Sequence, residues 1–286
     1  MFPKTATATL LFFFMALTFQ VKAQKQVHPK GKLLILGGAA TNEYFIDYFA
    51  ELAGGFDRKI VIIPSAMTDN AIENDPDFER LKKPFKNAGF TNIEVLHTRD
   101  KVLADTKEFI KPLLDAEGVW ITGGRQWRLV QSYLGTRTQN ALDQLLKKGK
   151  VIAGTSAGAS IMADLLVRGD PAGNTIMLGE YQEGFGFLQN IAIDQHHLAR
   201  NRQFDLFEVK RVHPEVLGIG LEENTGILVT DNQFKVVGKG YVGIYDGTRW
   251  SAERDTIYQL PKDVEQFYFL REGNAYDLKE QRIILK

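Results

Sequence analysis

The apolar positions in the first half of the chain fall into short runs that are hydrophobic on both faces. Lys32 to Leu36, Lys59 to Ile63, Gly118 to Ile121 and Val151 to Ala153 have this form, and Asn92 to Leu96 is a further strand in the series. Such runs suit the central strands of a parallel sheet, where helices cover both sides. Helical spacing separates them at Asn42 to Leu52, Asp77 to Ala88, Thr106 to Leu114, Trp127 to Leu134 and Thr138 to Lys148, and a further helix is expected from Ala157 to Leu166. Strands alternating with helices predict right-handed βαβ units and an α/β, doubly wound, mostly parallel sheet. Beyond Leu166 the runs shorten. Gly218 to Leu221, Gly226 to Thr230, Phe234 to Val237 and Tyr241 to Tyr245 are separated by turn residues at Asp231-Asn232 and Lys239-Gly240. That spacing predicts antiparallel C-terminal strands added to the sheet edge, with a last strand at Phe267 to Leu270.

Ligands bind beyond the carboxyl ends of strands in such sheets. Three small-residue loops lie there: Gly37-Gly38, Gly123-Gly124, and the turn through Gly154-Thr155-Ser156-Ala157-Gly158. The last matches G-x-S-x-G, the elbow in which a tight strand-to-helix turn lifts a serine out of the sheet. A helix beginning at Ala157 would aim free N–H groups at the reacting centre, which suits acyl transfer. An ordinary glycine-rich strand-to-helix junction carries the same pattern. The Gly37-Gly38 pair lacks the spacing of a dinucleotide fingerprint.

Lys4, an apolar run from Ala6 to Phe19 and the small-residue exit Val21-Lys22-Ala23 read as a secretory signal peptide cleaved after Ala23. The run is short for a span of roughly 20 residues, so no stable membrane anchor is expected. The expected organisation is a signal peptide at 1–23 and a single α/β domain at 24–286, secreted or periplasmic. The chain has no cysteine, hence no disulfide and no lipid-attachment thiol. It carries 35 basic and 35 acidic residues. Loss of Lys4 and Lys22 with the signal leaves a slight acidic excess, and no basic block exists to hold nucleic acid or an anionic membrane.

A serine hydroxyl needs a base to remove its proton, and a third group usually orients that base. His28 and His97 lie upstream and read as solvated or capping histidines. Downstream, Asp194-Gln195-His196-His197 follows the apolar Ile191-Ala192-Ile193, a strand end at the crevice. Spacing does not choose between its two histidines. Glu222-Glu223 follows another apolar strand and supplies a candidate orienting acid, although paired glutamates there also read as a solvated turn. In an α/β-hydrolase esterase the acid would precede the histidine, giving Asp194 or Asp205 with His213. A non-catalytic exported binding protein with the same pocket is a third reading.

Taken in order, Thr122-Gly123-Gly124 with Gln126, Gly154-Thr155-Ser156-Ala157-Gly158-Ala159, Asp194-Gln195-His196, and Gly218-Ile219-Gly220 with Glu223 resemble the motifs of the cyanophycinase branch of the cyanophycinase and dipeptidase E serine peptidases. The resemblance runs from Lys32 to about Val229. It implies a sheet of the class I glutamine amidotransferase type, with Ser156 as nucleophile, His196 as base and Glu223 as orienting acid. It also implies an oxyanion hole from the N–H groups of Gly124 and Ala157, a pocket lined by Gln126, and Asp194, Gln195, Arg200 and Arg202 near the substrate. Arginine forks suit this because they hold carboxylates in bidentate pairs. The chain departs from the pattern at Arg125, where an acid or amide is usual, at His197, where an aromatic is usual, and at Glu222, where an aspartate is usual. Arg125, with Arg128 close behind, would attract a carboxylate and repel an arginine-bearing substrate. The implied activity is exopeptidase hydrolysis of aspartyl or β-aspartyl peptide bonds. No cofactor is required, and the spacing of the histidines carries no H-E-x-x-H metal motif. A homodimer is compatible with this reading, and nothing in the sequence fixes it.

Overall fold

The computed structural model describes residues 31–253, 256–259 and 262–284. The signal segment at 1–23 and His28 lie outside the described residues. The strands are β1 (Lys32–Leu36), β2 (Ile60–Ile63), β3 (Ile93–Val95), β4 (Gly118–Ile121), β5 (Val151–Thr155), β6 (Ala163–Leu165), β7 (Leu188–Gln195), β8 (Leu217–Leu221), β9 (Thr225–Thr230), β10 (Gln233–Gly238), β11 (Tyr241–Tyr245), β12 (Trp250–Glu253), β13 (Thr256–Gln259), β14 (Tyr268–Arg271), β15 (Ala275–Asp277) and β16 (Arg282–Ile284). The helices are α1 (Glu43–Ala53), α2 (Asp69–Glu73), α3 (Glu79–Ala88), α4 (Lys101–Ala104), α5 (Lys111–Leu114), α6 (Gln126–Tyr133), α7 (Arg137–Lys147), α8 (Ala157–Ser160) and α9 (Leu206–Val212).

Nine strands form the main sheet in the order β16-β15-β10-β9-β1-β5-β4-β2-β3. From β1 to β3 every pairing is parallel, and from β9 to β16 every pairing is antiparallel. The doubly apolar runs are explained by what covers each face. Leu34, Leu36, Ile60, Ile62 and Trp120 face α1 and α3, where they meet Phe45, Phe49 and Phe85. Trp120 is fully buried, with T-shaped contacts to Phe49 at 5.3 Å and Phe85 at 5.2 Å. Their neighbours Leu33, Ile35, Val61, Ile63, Val119 and Ile152 face the other way, onto Leu129, Leu142 and Leu145 of α6 and α7. Each strand residue therefore loses water whichever face it takes, at roughly 25 cal/mol per Å² of apolar area removed.

The second half differs from the expected edge hairpins in one respect. Of the expected strands only β9 and β10 join the main sheet beside β1, with β15 and β16 beyond them, while β8, β11 and β14 belong to a second sheet ordered β14-β11-β8-β7-β6. Small residues explain that placement. A Cβ on Gly220 would lie 2.5 Å from the His197 ring nitrogens, and one on Gly218 would lie 2.8 Å from Tyr245 Cβ. β8 can therefore lie flush against the aromatic side chains of its own sheet. The chain crosses between sheets at Glu222-Glu223-Asn224, and this crossing brings a carboxylate to the site.

The helix expected from Ala157 to Leu166 lasts a single turn. Ala163–Leu165 instead pairs with β7 as β6. Asp164 holds this arrangement: Oδ1 accepts from Ile191 N at 2.9 Å and Oδ2 from Asn190 N at 2.6 Å. Carbonyls that a longer helix would have used internally instead accept from the segment leading into β7, Ile161 O from Phe185 N at 2.7 Å and Met162 O from Leu188 N at 3.1 Å. The expected Thr106 to Leu114 helix is also short. Pro112 opens α5 within its first turn, and Thr106 Oγ1 accepts from Phe109 N at 3.2 Å in a local turn.

Candidate active site

Ser156 stands at the carboxyl end of β5 with φ 55° and ψ −114°, a left-handed backbone that non-glycine residues rarely adopt. Its N–H donates to Leu36 O at 2.9 Å, which ties the elbow to the end of the neighbouring strand β1. The side chain is thereby lifted off the sheet. Ser156 Oγ lies 2.8 Å from His196 Nε2, and His196 Nδ1 lies 2.6 Å from Glu223 Oε1. A carboxylate can only accept, so Nδ1 carries the proton toward Glu223 and Nε2 is free to accept from the serine hydroxyl. One serine, one histidine and one acid thus form a continuous hydrogen-bonded row.

Three chain segments hold the imidazole. β7 delivers it, and the main-chain N–H of His196 donates to Gly37 O at 3.0 Å. Gly38 packs against the ring so closely that an added Cβ would fall 2.6 Å from Nδ1, and its φ of 143° already disfavours a side chain. His196 has φ 54°, and Asn224, next to Glu223, has φ 52°. Strained backbone at three positions around one hydrogen-bonded row is the pattern expected where surrounding structure over-determines a geometry. Gly38→Ala is expected to retain the fold and lower kcat by about 100-fold, since displacement of a reacting group by about 1 Å costs that much. Steady-state kinetics beside a circular-dichroism melt checks it, and an unchanged kcat would remove Gly38 from this role.

Burial, above all, holds the His196 pKa below its ordinary value, and the charges of Arg200 and Arg202 act in the same direction. Glu223 opposes them by favouring the imidazolium. The N–H groups of Gly124 and Ala157 donate to no protein acceptor among the described residues. Gly123 borders the serine, an added Cβ there falling 3.2 Å from Ser156 Cβ.

The remaining residues read from the sequence divide into two groups. Arg200 is exposed beside the row, and Arg125 is partly exposed at the mouth of the β4 loop. Gln126 is buried, donating through Nε2 to Val167 O at 2.8 Å, with Oε1 lacking a partner. Asp194, expected beside the substrate, is completely buried behind the row. Its two oxygens accept from Arg168 Nε at 2.7 Å and Nη2 at 2.8 Å, and Oδ1 also accepts from Gln195 N at 2.9 Å. Gln195 and Arg202 bind one another there, Arg202 Nη1 reaching Gln195 O at 2.9 Å and Oε1 at 3.1 Å. His213 ends α9 and faces Glu215 at 3.7 Å, while Asp205 pairs with Arg168 at 2.6 Å.

Sequence reasoning missed Arg168, whose surroundings carry no periodic signal. Glu222, weighed with Glu223 as a candidate orienting acid, lies outside the row: its carboxylate accepts from the N–H groups of Leu198 and Ala199 and so holds the turn leaving the histidines. His197 turns inward, its Nε2 2.8 Å from Tyr245 OH. His97 joins Ser65 and Tyr133 in a second cluster, with Ser65 Oγ 2.8 Å from His97 Nδ1 and 2.6 Å from Tyr133 OH. Burial pushes the His97 pKa down to about 4, so this imidazole is neutral at physiological pH. Ser65 is fully buried and supports the loop after β2.

A parallel sheet ending in a partly buried serine elbow, with a histidine and an acid hydrogen-bonded to that serine in a row, is the arrangement that a serine-nucleophile hydrolase requires. Residues 33–237 match the sequence profile of Peptidase family S51. The chain belongs to that family of serine-type peptidases. It is 32% identical over 229 residues to a cyanophycinase of Geminocystis herdmanii, covering 78% of this chain and 83% of that one. It is also 32% identical over 271 residues to a cyanophycinase of Trichormus variabilis, covering 89% and 88%. A solved peptidase from an acI-B1 Actinobacterium superposes with a TM-score of 0.62 at 21% identity, over 88% of this chain and 98% of that one. That likeness shows the fold, which is of the glutamine amidotransferase type.

Proposed function

We propose that the chain is an exported exopeptidase in which Ser156 is the nucleophile, His196 the general base and Glu223 its orienting acid. The observation that carries the reading is the row of hydrogen bonds at 2.8 and 2.6 Å from Ser156 through His196 to Glu223. Ser156 Oγ adds to the carbonyl carbon of the scissile amide as its proton passes to His196 Nε2. The amide C–N bond then breaks, and the same proton leaves on the departing amine. Water, deprotonated by His196, adds to the acyl ester and returns Ser156 with a free carboxyl product. Gly124 and Ala157 N–H groups would stabilise the tetrahedral oxyanion, and removing one such donor typically costs about 10²–10³ in kcat.

The substrate class follows from the relatives named cyanophycinase: an aspartyl or β-aspartyl peptide. Gln126 and Arg200 are the residues proposed to contact it, with Gln195 and Arg202 shaping the wall behind them. Residues 24–286 are proposed to act as one domain after removal of 1–23, so the exported protein would begin at Gln24. Among the described residues no helix is long and apolar enough to cross a membrane.

The test is a serine-directed phosphonate followed by peptide mapping, beside hydrolysis of a β-aspartyl dipeptide. The adduct is expected on Ser156, and the Ser156→Ala variant should lose both labelling and turnover. Undiminished hydrolysis by that variant ends the reading.

A pH profile tests the base. His196 must be neutral to accept the proton, and its pKa lies below the ordinary 6.5 chiefly through burial. The acid limb of kcat/KM is therefore expected below pH 6.5, with activity lost only as the pH falls through the lowered value. Arg200→Ala removes a charge that disfavours the imidazolium, so the limb should move to higher pH. A limb that stays in place assigns the titration to another group.

A further inference from the structure

The loop after β2 is surrounded by cations. Ala66 O accepts from Arg125 N at 2.8 Å and from Arg128 Nη1 at 3.2 Å. Arg99 donates to Ser65 O and to Met67 O, the latter at 2.7 Å. The three guanidinium groups differ in what balances them. Arg99 is paired with Asp69 at 2.8 Å and its donors are taken up by the loop. Arg125 and Arg128 have no carboxylate within ion-pairing distance among the described residues.

Arg125 is the residue between Gly124, a proposed oxyanion donor, and the first turn of α6. Its Nη2 donates to Asp170 O at 2.5 Å, while its Nε is buried with no acceptor. The Asp170 carboxylate forms no ion pair with it and is turned to the backbone of its own loop, where Oδ1 accepts from Ala172 N at 2.8 Å and Oδ2 from Glu180 N at 3.0 Å. Arg128 sits over the Trp127 ring, its guanidinium carbon 4.8 Å from the centroid, a cation–π contact that steadies the fork while Nη1 donates to Ala66 O. Burial lowers the Arg128 pKa most, the charges of Arg99 and Arg125 lower it further, and Asp69, already paired with Arg99, opposes them in part. Unmatched arginines with oriented forks and spare donors are built for a planar anion.

We propose that Arg125 and Arg128 form a subsite for a substrate carboxylate next to the scissile amide, so that the enzyme selects acidic peptides with a free side-chain carboxyl over peptides bearing arginine there. The inference rests on Ser156 as the nucleophile, because the subsite adjoins Gly124 in the proposed oxyanion hole. A free carboxylate completes the hydrogen bonding of Arg125 and neutralises the pair. An arginine-bearing side chain meets two like charges and offers no acceptor.

The test compares two peptides that differ only in whether one aspartyl side chain is free or amide-linked to arginine. The wild type is expected to use the free acid about 10- to 100-fold better in kcat/KM, the range expected of hydrogen bonds to a charged partner. Arg125→Glu with Arg128→Glu should reverse the order, and Arg128→Glu alone should compress it where the double variant does not fold. Equal use of the two peptides, a preference for the arginine-bearing one, or an unchanged ratio in a folded variant overturns the subsite. If neither peptide is hydrolysed, calorimetric binding to Ser156→Ala decides: tighter binding of the free acid supports the subsite, and equal or absent binding overturns it. Failure of the nucleophile reading shows separately, as turnover that survives Ser156→Ala or absence of phosphonate labelling.

Discussion

Replacing His196 with alanine is expected to lower kcat about 10⁴- to 10⁶-fold, and combining it with Ser156→Ala should cost little more. The expectation follows from the geometry of the row. Ser156 Oγ has Nε2 of His196 at 2.8 Å as its acceptor, and without that acceptor the hydroxyl proton has nowhere to go as the C–O bond forms. Groups that act on one proton fail together, so their losses do not add. Glu223→Gln should be severe but milder, near 10⁴, because an amide at Oε1 favours the wrong imidazole tautomer while leaving the ring in place. The oxyanion donors are main-chain groups untouched by these changes, so each variant should keep a small rate above water. Single-turnover kinetics on a β-aspartyl dipeptide measures all four proteins. Additive losses in the double variant, or a His196→Ala rate within tenfold of wild type, would show that the row is not the catalytic unit.

Most parallel strands were legible because a residue buried on either face has the same apolar identity, and small or turn-forming residues follow β1, β2, β4 and β5. The serine elbow was legible for a related reason: its backbone requires small neighbours, and small neighbours leave a motif. What surrounds the histidine was less so. The choice between His196 and His197 needed the resemblance to known peptidases, because both residues follow the same strand and the choice depends on packing across two sheets. His197 fits against Gly220 and Tyr245, a contact between β8, β11 and the end of β7 that no local pattern announces. The second sheet itself was hidden, since β8 and β9 read alike as short strands though a crossover sends them to different sheets. The short α8 was overread for the opposite reason. Ile161, Met162 and Ala163 form a consecutive apolar run that a buried helix and a buried strand carry alike, and all three are fully buried as the chain passes into β6.

Arg168→Met is expected to be the most destabilising single change near the site, at about 3–5 kcal/mol. Arg168 and Asp194 have side-chain exposures of 2% and 0%, and two hydrogen bonds at 2.7 and 2.8 Å join them. Arg168 also donates to Asn174 O at 2.6 Å and to Asp205 at 2.6 Å, and its own φ is 57°. Removing the guanidinium leaves a carboxylate in the interior with only the Gln195 N–H and the more distant Arg202, at 3.7 Å, to face it. For a chain of this size the loss corresponds to a fall in Tm of roughly 6–20 °C. Asp194 lies near the end of β7, two residues before His196, so kcat should fall with stability. Removing both charges separates the two effects. Arg168→Met with Asp194→Leu relieves the unpaired charge and should recover much of the stability, because a buried pair replaced by apolar groups is often neutral or better. If the pair's task is to fix the end of β7, the stable double variant will still be slow, because nothing then holds Gln195 and His196 in register with the elbow. A double variant that recovers both Tm and kcat would reduce the pair to a stability element, and an Arg168→Met protein that melts with the wild type would remove even that.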